Sequence, residues 1–132
     1  MKKTLGILSL LLISITIIFA VASCGGLENY EGRLIASGYK VGVATKSDVD
    51  AMNETMRKEG IECNIIEYVG ASLEANETEG EYVTIFRFES ESLAKDFVEK
   101  VPAILEADEY VEREGAIVFI GTKTAINIAL GK

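Results

Sequence analysis

The chain carries no histidine. That removes the commonest general base, every imidazole metal ligand and any Ser-His or Cys-His nucleophile pair. Carboxylates, lysines, serines and a thiol remain for chemistry. Ser92-Leu93-Ala94-Lys95 sets a serine one helical turn from a lysine, a spacing at which an amine can activate a hydroxyl. Asp48, Asp50 and Glu59 stand at the spacing of a calcium loop. Asn53, however, occupies the position of its turn glycine, and Met52 that of an oxygen ligand. Glu74, Glu77, Glu79 and Glu81 gather four carboxylates on a polar connection (70–80) and its exit, a weak site for Ca²⁺ or another divalent cation. Glu106, Asp108, Glu109, Glu112 and Glu114 form a second acidic stretch, with Glu112 and Glu114 expected on one strand face. Gly121-Thr122, between a strand and a helix, offers backbone N–H groups to an anion.

Each pattern has a plainer reading. The Ser92/Lys95 spacing resembles the nucleophile motif of penicillin-binding proteins and serine β-lactamases. The companions are absent: Ser47-Asp48-Val49 is not Ser-Asp-Asn, and Lys123-Thr124-Ala125 is not Lys-Thr-Gly. The acids near residue 48 complement a helix dipole, the loop glutamates are solvated, and Thr122 caps a helix. Neither phosphate-cradling glycine motif occurs. The expectation is a domain without catalytic residues and without a cofactor.

The strongest pattern lies at the N-terminus. Lys2 and Lys3 precede an apolar run from Leu5 to Val21, which ends in Val21-Ala22-Ser23-Cys24-Gly25-Gly26. A charged start, an apolar core and small residues at a cut make a secretory signal. This one resembles the signal of bacterial lipoprotein precursors, whose lipobox reads aliphatic, small, small, Cys. The resemblance implies cleavage between Ser23 and Cys24 and a diacylglycerol on the Cys24 thiol. It places the domain on the extracytoplasmic face of the cell membrane. An uncleaved transmembrane helix is the competing reading, since the run sits at the short end of the span a bilayer needs. Under the lipoprotein reading Cys24 is a thioether, which leaves Cys63 unpaired in an apolar strand pattern, as inert core.

Residues 1–23 are then the signal, 24–27 a short tether and 28–132 a single α+β domain. Structure beginning at Leu27 or Glu28 leaves about four residues of slack, at most about 14 Å. The domain should therefore lie close to the membrane. Removing Lys2 and Lys3 with the signal takes the net charge from −8 to −10. Anionic head groups would repel that charge, so the least acidic face should turn inward. An acidic balance also argues against nucleic acid as a partner.

The elements that must hold these residues follow from periodicity. Leu27, Tyr30 and Leu34 recur at helical spacing, closed by Gly38. Tyr39 to Thr45 alternates as a strand. Ser47 and Asp50 form a capping-box pattern for a helix to about Glu59, stopped by Gly60. Ile61, Cys63 and Ile65 alternate towards Val69. Tyr82 to Phe88 is the clearest strand, rich in aromatic and β-branched residues. Ser90 caps the next helix, and Pro102 kinks it or marks a new turn. Tyr110–Arg113 and Ala116–Ile120 make a hairpin about Glu114-Gly115, and Thr122–Leu130 a last helix. The order α-β-α-β-β-α-β-β-α predicts a mostly antiparallel sheet with helices packed on one face. Its centre matches the ferredoxin-like β-α-β-β-α-β unit, with a helix before it and a strand and helix after it. Such a domain fits a non-catalytic binding or accessory role, with a protein or cell-envelope partner. The alternative is a small-ligand or divalent-cation-binding lipoprotein that uses the acidic loop.

Overall fold

A computed structural model describes residues 27–73 and 80–132. In chain order the elements are α1 (Glu28–Ala36), β1 (Lys40–Val43), α2 (Lys46–Lys58), β2 (Ile65–Leu73) and β3 (Glu81–Phe88). They continue with α3 (Glu91–Lys100), a 3₁₀ turn (Val101–Ile104), β4 (Tyr110–Glu114), β5 (Ile117–Gly121) and α4 (Lys123–Leu130). The expected order of helices and strands forms, and the class is α+β. The five strands lie in the order β1-β2-β3-β5-β4, every neighbouring pair antiparallel.

The helices do not share one face. Val83 and Ile85 of β3 and Phe119 of β5 pack with Leu34 of α1 and Ile126 of α4. Phe86 and Phe88 of β3 and Val118 and Ile120 of β5 pack with Met52 and Met56 of α2 and Phe97 of α3. Successive strand residues point to opposite faces, so a strand apolar at nearly every position must be covered on both sides. The β3 and β5 sequences have that character, and the result is three layers. The ferredoxin-like detail also differs. A split β-α-β unit separates its two parallel strands with a third. Here β1 and β2, which flank α2, are direct antiparallel neighbours, and only β3-α3-β4 is split, by β5.

Two boundaries move for local reasons. Strand β2 starts at Ile65 and runs to Leu73, about four residues later than the alternation from Ile61 predicts. Ile61 instead closes α2. Gly60 takes the left-handed conformation (φ 85°), its N–H donates to the Arg57 carbonyl at 3.0 Å, and the Ile61 N–H reaches the Met56 carbonyl at 2.9 Å. This is the Schellman arrangement, whose last residue is normally an apolar contact. The helix also begins earlier than Ser47. Thr45 accepts from the Asp48 N–H at 3.2 Å while the Asp48 carboxylate accepts from the Thr45 N–H at 2.9 Å. That reciprocal box typically contributes about 1 kcal/mol. Leu27, grouped with the tether by its sequence position, belongs to the core at 1 % exposure.

Candidate functional site

Between the C-terminal end of α2, the loop before β2 and the outer side of α3 lies an open cavity of about 290 Å³. Arg57, Glu62, Cys63, Asn64, Asp96 and Lys100 line it. One buried-side anchor shapes it. The Asn53 amide donates to the Ile65 carbonyl at 3.1 Å and accepts from the Ile65 N–H at 3.0 Å, pinning the start of β2 to the middle of α2. The same Asn53 oxygen accepts from the Cys63 thiol at 3.7 Å. Burial pushes that thiol up to about 11, the neighbouring Arg57 pulling weakly the other way. The sulfur is therefore protonated at neutral pH and is not a nucleophile. The cations and carboxylates on the walls oppose one another, and Arg57 is ion-paired with Glu54. The cavity thus presents no single sign of charge to a ligand.

A second concentration of polar groups sits at the other end of the sheet. The Tyr82 hydroxyl donates to the Glu109 carboxylate, whose other oxygen accepts weakly from the Glu106 N–H at 3.4 Å. Glu109 is 8 % exposed, and burial raises its carboxyl above the ordinary value. Burial and the adjoining carboxylates also raise the Tyr82 phenol. The pair fastens the segment before β4 onto β3. Nothing in the sequence singles out Glu109 from its acidic neighbours, because its partner lies 27 residues away.

The residues singled out by spacing are dispersed. Ser92 and Lys95 are both exposed on α3. Asp48 sits in the capping box of α2 and Glu59 at its other end. The helix between them separates the two by about 17 Å, too far for one calcium ion. Glu112 and Glu114 do share an exposed face of β4, and Glu114 accepts from the Tyr30 hydroxyl at 2.6 Å. The Thr122 hydroxyl turns away from the helix it precedes. It accepts from the Tyr82 N–H at 3.2 Å, and the Thr122 N–H donates to the Tyr82 carbonyl at 2.9 Å. Glu81 opens β3 opposite Leu73, half-buried. Glu74, Glu77 and Glu79 lie outside the described residues, as do the expected signal, Ser23 and Cys24.

Among the described residues no group of three or more Cys, Asp or Glu is arranged to hold a metal ion. No helix among them is long and apolar enough to cross a membrane. Comparison of the chain with protein-family models, with curated proteins and with solved structures finds no match.

Proposed function

We propose that this chain is a lipid-anchored, extracytoplasmic domain that works by binding, as an accessory subunit held against the membrane through Cys24. The observation that carries the reading is the joining of two features. A lipobox-like Val21-Ala22-Ser23-Cys24 follows a charged, apolar leader, and only Gly25 and Gly26 separate Cys24 from Leu27, which is buried at 1 % exposure. The chain passes from the anchor directly into packed core, with no stalk that would give the domain reach.

Energetics favour such an anchor despite the acidity. At a surface potential of roughly −30 mV each negative charge near the head groups costs about 0.7 kcal/mol. Each buried CH₂ of an acyl chain contributes about 0.8 kcal/mol, so two chains outweigh the repulsion. Binding rather than catalysis is supported by the displaced groups. The Cys63 thiol and the Tyr30 and Tyr68 phenols all move away from neutrality, to about 11, about 12 and about 12. Glu109 moves towards it but is buried against Tyr82. The cation-binding alternative has no comparable support among the described residues, where Glu81 stands without two further carboxylates in reach.

Crosslinking of the full-length protein in intact cells, with Cys24→Ser as control, tests the reading. A defined protein captured only by the anchored form is expected. If nothing is captured while the wild type stays in the membrane fraction, the small-ligand alternative takes its place. A Cys24→Ser protein that remains equally membrane-bound replaces the lipid anchor with an uncleaved helix.

A further inference from the structure

We propose that one end of the sheet, the end at which α1 begins, is the surface apposed to the lipid head groups, so that the opposite end is presented to partners. The proposal rests on the anchor at Cys24. Leu27 is immobilised in the core, and the three virtual bonds from Cys24 to Leu27 span at most about 11 Å. Whatever lies around Leu27 is therefore held at the membrane.

The contacts of α1 identify that end. Tyr30, one turn into the helix, donates to Glu114 at 2.6 Å and meets the Phe119 ring edge-on at 5.0 Å. Glu114 pairs with Ile117 across the β4–β5 turn. The Phe88 N–H donates to the Ala116 carbonyl at 2.9 Å, which brings the β3–α3 turn at Glu89 to the same place. The start of β2 joins it, since Ile65 pairs with Phe88. At the other end Lys40 pairs with Ser72, Leu73 with Glu81, and Tyr110 with Gly121.

At the proposed membrane end two carboxylates are neutralised, Glu67 by Arg87 and Glu91 by Arg113 at 3.0 Å, while Glu89 and Glu114 stay exposed there. The segment with Glu106, Asp108 and Glu109 leads into β4 at the far end, where Glu81 also lies. The eight residues of β3 between the ends extend about 27 Å. That exceeds three Debye lengths of about 8 Å, so the far acids escape the repulsion of anionic lipids. Tyr110, 47 % exposed with the Lys123 ammonium 5.8 Å from its ring centre, is among the groups presented outward.

The test uses full-length protein isolated from membranes and reconstituted into phosphatidylcholine/phosphatidylglycerol vesicles carrying a head-group spin label. In a Cys63→Ser background, Glu89→Cys, Asp108→Cys and Ile35→Cys each receive a fluorophore. These positions mark the proposed membrane end, the far end and the exposed outer side of α1. Loss of most of the fluorescence at Glu89→Cys, with none at Asp108→Cys, is expected. Equal quenching at the two, or stronger quenching at Ile35→Cys, overturns the orientation while leaving the anchor intact. Protein that neither floats with vesicles nor carries lipid on Cys24 by intact mass overturns the anchor, and the orientation with it.

Discussion

The two faces of the sheet are built on different principles. On the side of α2 and α3, Tyr68, Phe86, Phe88 and Phe97 form a chain of rings with centroids 5.0 to 5.7 Å apart. On the side of α1 and α4 the layer uses Ala71, Ala125 and Ala129. At the rim of β5, backbone approaches so closely that a side chain on Gly121 would not fit. There α1 is fastened by polar contacts as well as by packing: the Arg33 guanidinium donates to the Ala129 carbonyl at 2.8 Å, and Tyr30 to Glu114. The aromatic side draws its stability from buried area. The small-residue side also buries Leu34, Phe119 and Ile126, adds close fit around its alanines, and carries the helix nearest the proposed anchor.

The comparison predicts that the aromatic side is damaged by truncation and the small-residue side by enlargement. Phe86→Ala, at a fully buried position, should cost about 3 to 5 kcal/mol in denaturant unfolding of a soluble 27–132 fragment. A cost under about 1 kcal/mol would mean that the rings are not the foundation of that layer. Gly121→Ala should cost about 1 to 3 kcal/mol, because its new Cβ would lie 2.2 Å from the Tyr82 carbonyl oxygen, a backbone atom with little freedom to move. An unaltered melting temperature would show that β3 and β5 are looser at that end than the contact implies.

Smaller effects sharpen the contrast. Gly32 stands inside α1, exposed, with nothing within 4 Å of where a Cβ would be. Gly32→Ala should therefore stabilise the fragment by roughly 0.5 to 1 kcal/mol, through helix propensity and a less disordered unfolded chain. Destabilisation would mean that α1 is not helical where it meets α4. The smallest effect is in pH dependence. Burial holds the Glu109 carboxyl above its ordinary 4.5, so the folded state keeps a proton that the unfolded state has released. Stability from this group is complete below about 4.5 and is lost as pH rises through the higher folded value. Glu109→Gln should flatten thermal stability against pH in that window, whereas slopes equal to the wild type's would remove Glu109 from the account.

Much of this architecture was legible before any coordinates. Val83, Ile85, Phe86 and Phe88, and the unbroken Ile117-Val118-Phe119-Ile120, already carry the mark of strands covered on both sides. Element order alone does not weigh that mark, so the second helical layer was not predicted. The Thr/Ser-x-x-Asp pattern occurs twice in register, at Thr45/Asp48 and at Ser47/Asp50, and only the fold decides that the first is the cap. Ile61 reads as a strand residue because a Schellman contact and a strand both call for an apolar side chain there. Cys63 reads as inert core within a strand, whereas it lies half-buried in the loop before β2 on the cavity wall, and nothing in the sequence points to its Asn53 partner. The Tyr82–Glu109 and Tyr30–Glu114 pairs join residues far apart in sequence, where periodicity carries no information.

The central claim is that the chain is cut before Cys24 and lipidated there. Its most direct test is intact-mass analysis of the full-length product recovered from the membrane fraction of its own cells. The account predicts a chain beginning at Cys24 with the added mass of a diacylglycerol thioether, and loss of that species in Cys24→Ser. A chain still carrying residues 1–23 with Cys24 unmodified would contradict it, and with it the orientation of the domain at the membrane.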